Sequence, residues 1–202
     1  HLAGRSLIKS SSVLIEAGET ASGIQLLKKA NGLIDPDRDP RLLLCVRHNL
    51  VDTLARAGRY REAADLLPDV QELAVLRGNT LDRLRLDWVE GRVATGLGEY
   101  EQARTLLTRV RQTFLDDGNI YEAALATLDL AITYLEEGRT DEVRDLAEEM
   151  VAVFRAHDVH REALAALLLF QESARRETAT TGLAREVAAA LTRTREGGAG
   201  LS

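Results

Sequence analysis

The sequence predicts an all-α fold: a right-handed α-α solenoid of five helical hairpins, about ten helices. Three observations carry this reading. Glycines stand at 18, 58, 98 and 138, a constant spacing of 40 residues, each between two stretches of helix length. Apolar columns repeat in the same phase: Leu26, Leu66, Leu106 and Leu146, then Leu27, Leu67, Leu107, Ala147 and Val187, then Ile34, Ala74, Phe114 and Phe154. The crossing point of each helix pair holds mostly small residues, namely Gly23, Ala63, Ala103 and Val143, with Leu183 in the fifth. A lone hairpin cannot bury both of its faces, so a period of this size implies stacking of neighbours.

Taken in order, the first hairpin covers 2–34. Gly18 supplies the left-handed turn that a Cβ resists, and Thr20 is the expected cap of the second helix. DPDRDP at 35–40 breaks the chain, with Asp39 as N-cap and Pro40 at the first helical position, where its missing N–H costs nothing. The second hairpin covers 41–77. Pro68 lies inside its second helix and is expected to kink it or open a turn. Gly78 closes that helix, and Asn79 or Thr80 caps the next. The third hairpin covers 80–116 and is followed by DDGN, where Asn119 and Glu122 have capping-box spacing. The fourth covers 120–156, with Thr140 as the expected cap and Asp141 and Glu142 at the positive helix start. Asp158 is the expected cap of the fifth, over 159–195. The glycine expected at 178 is Thr178, so TATTG carries that turn. The hairpins form one repeat domain over 1–195, and 196–202 reads as a disordered tail.

The bulk numbers agree. Of 202 residues, 45% are hydrophobic and 29% charged, which suits a folded chain. Aromatics make up only 4%, so Ala and Leu fill narrow gaps between helices. The net charge of −6 argues against direct contact with nucleic acid. The single Cys45 excludes an internal disulfide framework and fits a reducing, cytoplasmic setting. No run of ~18 apolar residues spans a membrane. The chain opens at His1, already in a helical pattern, and reads as a segment of a longer protein.

Gly58, Tyr60 and Ala63, and again Gly98, Tyr100 and Ala103, place an aromatic two residues after the glycine and a small residue three after that. This pattern resembles the tetratricopeptide repeat (TPR), and the resemblance extends over nearly the whole chain. The unit of 40 exceeds the family's usual length of about 34 and is similar to the helical arms of large bacterial transcriptional regulators. The resemblance implies a TPR-like superhelix whose first helices line a concave groove. In that phase the partner-binding candidates are Arg5, Lys9, His48, Asn49, Asp52, Arg56, Arg85, Trp88, Arg92 and Asp129. Leu125, Leu128 and Ile132 share the phase of Asp129. Arg and Trp are enriched at binding hot spots. The plainer alternative is that Trp88 fills the core and the polar residues are ordinary inter-helix groups.

No nucleotide, metalloprotease, serine-hydrolase or paired-cysteine motif is present. Cys45 and His48 lie one helical turn apart, a weak pair for nucleophilic chemistry. His157 and His160 read as a surface loop, because a metal needs three or four ligands. The expected function is a non-catalytic protein- or peptide-binding scaffold without cofactor or metal. The alternative is an effector-sensing or oligomerisation arm of a larger bacterial regulator, with a small effector or a second copy as partner.

Overall fold

The computed structural model describes residues 2–157 and 159–199, and among them all regular structure is helical. Ten helices follow one another: α1 (Leu2–Glu16), α2 (Thr20–Leu33), α3 (Pro40–Arg56), α4 (Tyr60–Arg77), α5 (Thr80–Leu97), α6 (Tyr100–Asp116), α7 (Ile120–Glu136), α8 (Thr140–Ala156), α9 (Arg161–Arg175) and α10 (Thr181–Ala199). The chain divides into two compact units, His1–Gly98 and Glu99–Ser202, in the turn between α5 and α6.

The four periodic glycines occupy equivalent bends. Their φ values are 85°, 74°, 81° and 74°, and Gly118 joins them at 71°. In each bend the glycine N–H bonds the carbonyl three residues back, as Gly58 does to Ala55 and Gly138 to Leu135. The fifth hairpin makes the same bend with Glu177 at φ 58°. Glu177 N–H bonds Ala174, and Thr178 N–H bonds Ser173, as Arg139 N–H bonds Tyr134 after Gly138. A left-handed residue bearing a Cβ is strained by roughly 1–2 kcal/mol. Glu177→Gly is therefore expected to stabilise the protein by about 0.5–1 kcal/mol, after the greater freedom of glycine in the unfolded chain is deducted. A thermal melt checks this, and an unchanged or lowered midpoint would count against the strain.

That bend also corrects the fifth column. The left-handed residue comes 39 positions after Gly138, but α10 starts 41 after α8. The buried crossing residue is therefore Ala184, and Leu183 is only partly buried. The other hairpins cross as expected, at buried Gly23, Ala63, Ala103 and Val143.

Caps follow the turn geometry more than the residue type. Asp39 caps α3 by accepting from Leu42 N–H at 3.1 Å. Asn79 caps α5 in a full capping box closed by Asp82. Thr20 and Thr140 do not cap, because the tight turn delivers each helix one residue early and places the threonine inside its first turn. Glu19, Arg59, Glu99, Asn119 and Arg139 occupy the cap position with similar backbone angles, and none caps with its side chain. The expected Asn119–Glu122 box is thus not formed. Arg59 and Arg139 instead pair with Glu62 and Glu142 across the first turn. Helix α4 continues unbroken through Pro68, which is exposed. The cap expected at Asp158 lies outside the described residues. Helix α10 continues to Ala199, past the expected end of the repeat domain, because glycine weakens a helix without forbidding it. Residues 200–202 of the expected tail lie outside the described residues.

In the first unit chain neighbours pack together, and α3 also meets α5. Its core includes Ile24, Leu27, Leu50, Val51, Leu54, Ala63, Val70, Val89 and Val93. A polar seam crosses it, where Arg47 Nε donates to Asn31 Oδ1 at 3.1 Å and faces Asp69 at 3.6 Å. In the second unit the equivalent seam, 80 residues on, reads Arg111, Thr127 and Glu149. Arg111 Nε donates to Thr127 Oγ1 at 3.0 Å, and its guanidinium lies 2.5 Å from Glu149, off the line of a hydrogen bond. In this unit α6, α7, α8, α9 and α10 pack in chain order, and α10 also returns to α7. Helix α10, the last of the series, is not an exposed edge. Its Ala184, Val187 and Leu191 are in fact buried in one cluster with α7, α8 and α9.

Candidate functional site

Nine of the ten candidate residues stand on α1, α3 and α5 of the first unit, and Asp129 stands on α7 of the second. Side chains four apart on α3 share one face of that helix, and α3 packs against α5.

The centre is Asp52. Its carboxylate accepts from Arg56 Nε at 2.9 Å, one turn along α3, and from Arg92 at 2.5 Å, across on α5. Burial pushes the Asp52 carboxyl up, but Arg92 and Arg56, with His48 beyond them, outweigh it and hold it below the ordinary range. The Arg92 guanidinium also lies over the Trp88 ring, 4.8 Å from its centroid. Trp88 itself is 9% exposed, so its ring is a buried platform for Arg92 rather than an open anchor. A guanidinium fixed by a carboxylate and an aromatic face has little freedom left to lose on binding.

The pair has a pH signature. A carboxyl lowered in the folded state contributes stability that is complete above its unfolded value of about 3.9 and fades as pH falls through the lower folded value. Asp52→Asn is expected to cost about 1–2 kcal/mol at neutral pH. The difference from the unaltered chain should close as pH falls through the lowered folded value. A gap that persists in acid would assign the loss to packing.

Further along the face, Asn49 donates to Cys45 Sγ at 3.9 Å. His48 is half-buried, and its Nε2 is buried with no hydrogen-bond partner among the described residues. Arg85, Arg56, Arg5 and Lys9 are exposed. Arg41 pairs with Asp82, and Arg5 meets Asp39 at 3.5 Å. Arg41, Asp82 and Asp39 are not among the sequence candidates. Arg41 and Asp82 stand 41 residues apart, so alignment of the two first helices would have revealed them. Counting the candidate positions on these helices and their ion-pair partners, Arg5, Lys9, Arg41, Arg56, Arg85 and Arg92 stand against Asp39, Asp52 and Asp82, in a chain of net charge −6.

Cys45 is exposed, yet partial burial pushes its thiol up, against the pull of Arg41 and Arg85. A raised thiol is a poor nucleophile at neutral pH. His157 Nδ1 donates to Val153 O at 2.8 Å, and His160 N–H donates to the Tyr121 hydroxyl at 3.2 Å. Among the described residues no three His, Cys, Asp or Glu side chains are grouped to hold a metal ion. No helix among them is long and apolar enough to cross a membrane.

The tetratricopeptide repeat family model matches three stretches, 46–67, 84–109 and 124–149. Each begins in a first helix and runs through the periodic glycine into the second. The chain carries tetratricopeptide-like repeats. Solved structures agree on the fold of this TPR-like chain. TPR-like repeats of the kinesin light chain kind from Podosopora anserina match with TM-score 0.64 and 19% identity, over 95% of this chain and 94% of that one. A point variant of those repeats gives 0.63 and 20%, over 95% and 96%. BtubC (BKLC) from P. vanneervenii gives 0.63 and 15%, over 95% and 79%. No curated protein matches the sequence at a significant level. A TPR-like repeat is a scaffold typical of protein–protein interaction.

Proposed function

We propose that the first unit binds an acidic, extended segment of a partner protein along α1, α3 and α5. The observation that carries this is the charge at the candidate positions and their ion-pair partners: six basic side chains against three acidic ones, within an acidic chain. Arg56 and Arg85 supply exposed forks for carboxylates. Arg92, held by Asp52 and Trp88, supplies a fixed one. Asn49, which is half-buried, offers a hydrogen bond to a backbone. Asp129, on the other unit, lies outside this proposal. The reading makes the chain a non-catalytic, cytoplasmic scaffold without cofactor or nucleic-acid contact. The raised Cys45 thiol supports the first part.

The test is a titration with a fluorescent peptide rich in Asp and Glu. Arg56→Glu with Arg85→Glu should weaken binding by a factor of ten or more, roughly 1.4 kcal/mol. Binding should also fall steeply with salt, since the contacts are exposed charges. Equal affinity for the unaltered and charge-reversed chains would end the proposal. A second reading, the effector-sensing or oligomerising arm of a bacterial regulator, is favoured by the unpartnered His48 Nε2. A small dicarboxylate that competes with the peptide, and loses its effect in His48→Ala, would select it.

A further inference from the structure

The second unit holds a different surface. Helix α7 is buried nearly all round, with Ala123, Ala124, Ala126, Thr127, Leu128, Leu130, Ala131, Ile132 and Thr133 all buried. Leu128 and Ile132, expected to line an open groove, lie in the same apolar cluster as Ala184, Val187 and Leu191 of α10. Helix α10 brings its far end to the start of α7, where Arg195 donates to Glu122 at 3.0 Å. Helices α7, α8, α9 and α10 thereby close into a ring, each meeting the next and the last meeting the first.

Three features separate α10 from the other three. Its buried face is slight: one Ala, one Val and one Leu at i, i+3 and i+7 are fully enclosed, while Leu183 and Ala188 are only partly so. It follows a connection two residues longer than the turn into α8, counted from the left-handed residue to the helix start. That connection begins at strained Glu177, the one non-glycine residue with positive φ among those described.

We propose that the face of α7 built on Leu128 and Ile132 is a seat for an amphipathic helix of a partner protein, and that α10 fills it in cis. The helix that fits is defined by α10 itself: small or aliphatic residues at i, i+3 and i+7, with an arginine at i+11 that reaches Glu122. This is helix-in-groove recognition with the competitor tethered to the groove. A tethered competitor acts at an effective concentration on the millimolar scale, so an outside helix enters only when α10 leaves. The seat is independent of the basic face of the first unit.

The probe is a fluorescent peptide of residues 181–199, added to the full chain. Val187→Asp with Leu191→Asp should free the seat, and the peptide should bind this variant at least about tenfold more tightly than the unaltered chain. Glu122→Arg added to the variant should weaken that binding. Equal binding to both chains, or binding to neither while the variant keeps its helical content, would overturn the proposal. If the variant unfolds, amide exchange on the unaltered chain decides. Amides of 184–195 should exchange about tenfold or more faster than those of α7, through an opening that leaves α7–α9 protected. Equal protection of α10 and α7 would make α10 a fixed part of the core and overturn the seat.

Discussion

Phe154→Ala is expected to lower stability by about 3–5 kcal/mol, the cost of deleting a buried aromatic ring and leaving part of its space empty. Phe154 is fully enclosed near the end of α8. Its ring meets Tyr121 edge-on, with centroids 5.5 Å apart. The Tyr121 hydroxyl in turn accepts the His160 N–H at the entry to α9. One ring therefore ties α7, α8 and the start of α9 together, and the cavity lies where several helices share a cluster. Denaturant unfolding should show the loss as a lower midpoint. A loss below about 1 kcal/mol would mean that the neighbours collapse into the gap. Phe154→Leu should recover about half, because an aliphatic chain refills much of the volume without the edge-on contact.

Gly96→Val is expected to cost about 2–3 kcal/mol, for a reason opposite in sign. Gly96 lies in α5 with ordinary helical φ, so no turn requires it. It is needed for space: a Cβ built there would stand 2.3 Å from the Tyr60 ring carbons. Tyr60 opens α4 and lies across α5 at that point. The ring must swing away or α5 must retreat, and either loosens the α4–α5 packing. Against that, any Cβ in a helix interior regains up to about 1 kcal/mol of propensity. Gly96→Ala should therefore cost less than valine. Adding Tyr60→Ala to Gly96→Ala should return most of the loss, and a strictly additive pair would show that the ring is not the obstacle.

The fold is legible because its bends need a backbone that a Cβ resists. Gly18, Gly58, Gly98 and Gly138 mark those bends openly. Glu177 makes the same bend with an ordinary side chain, so its column reads one residue out of place. The return of α10 to α7 is not legible either, since an Ala-rich stripe suits several neighbours equally. Arg56 and Asp52 can be paired from their spacing of four. Arg92 cannot be joined to Asp52 without knowing which helices stand side by side, and the burial of Trp88 depends on the same packing. Asn79 and Asn119 have the same side chain, yet only Asn79 caps, because the turn before it differs.

The two polar seams restrict which helices can be neighbours. At the α2–α3 seam the cation is on the later helix, as Arg47 opposite Asn31; at the α6–α7 seam it is on the earlier one, as Arg111 opposite Thr127. A recombinant that set α6 beside α3 would confront two guanidinium groups, and one that set α2 beside α7 would leave Glu149 without its arginine. Hairpins alike in shape are thus keyed to their places at these two seams, and module shuffling should cost least stability where each of the two keeps one positive charge.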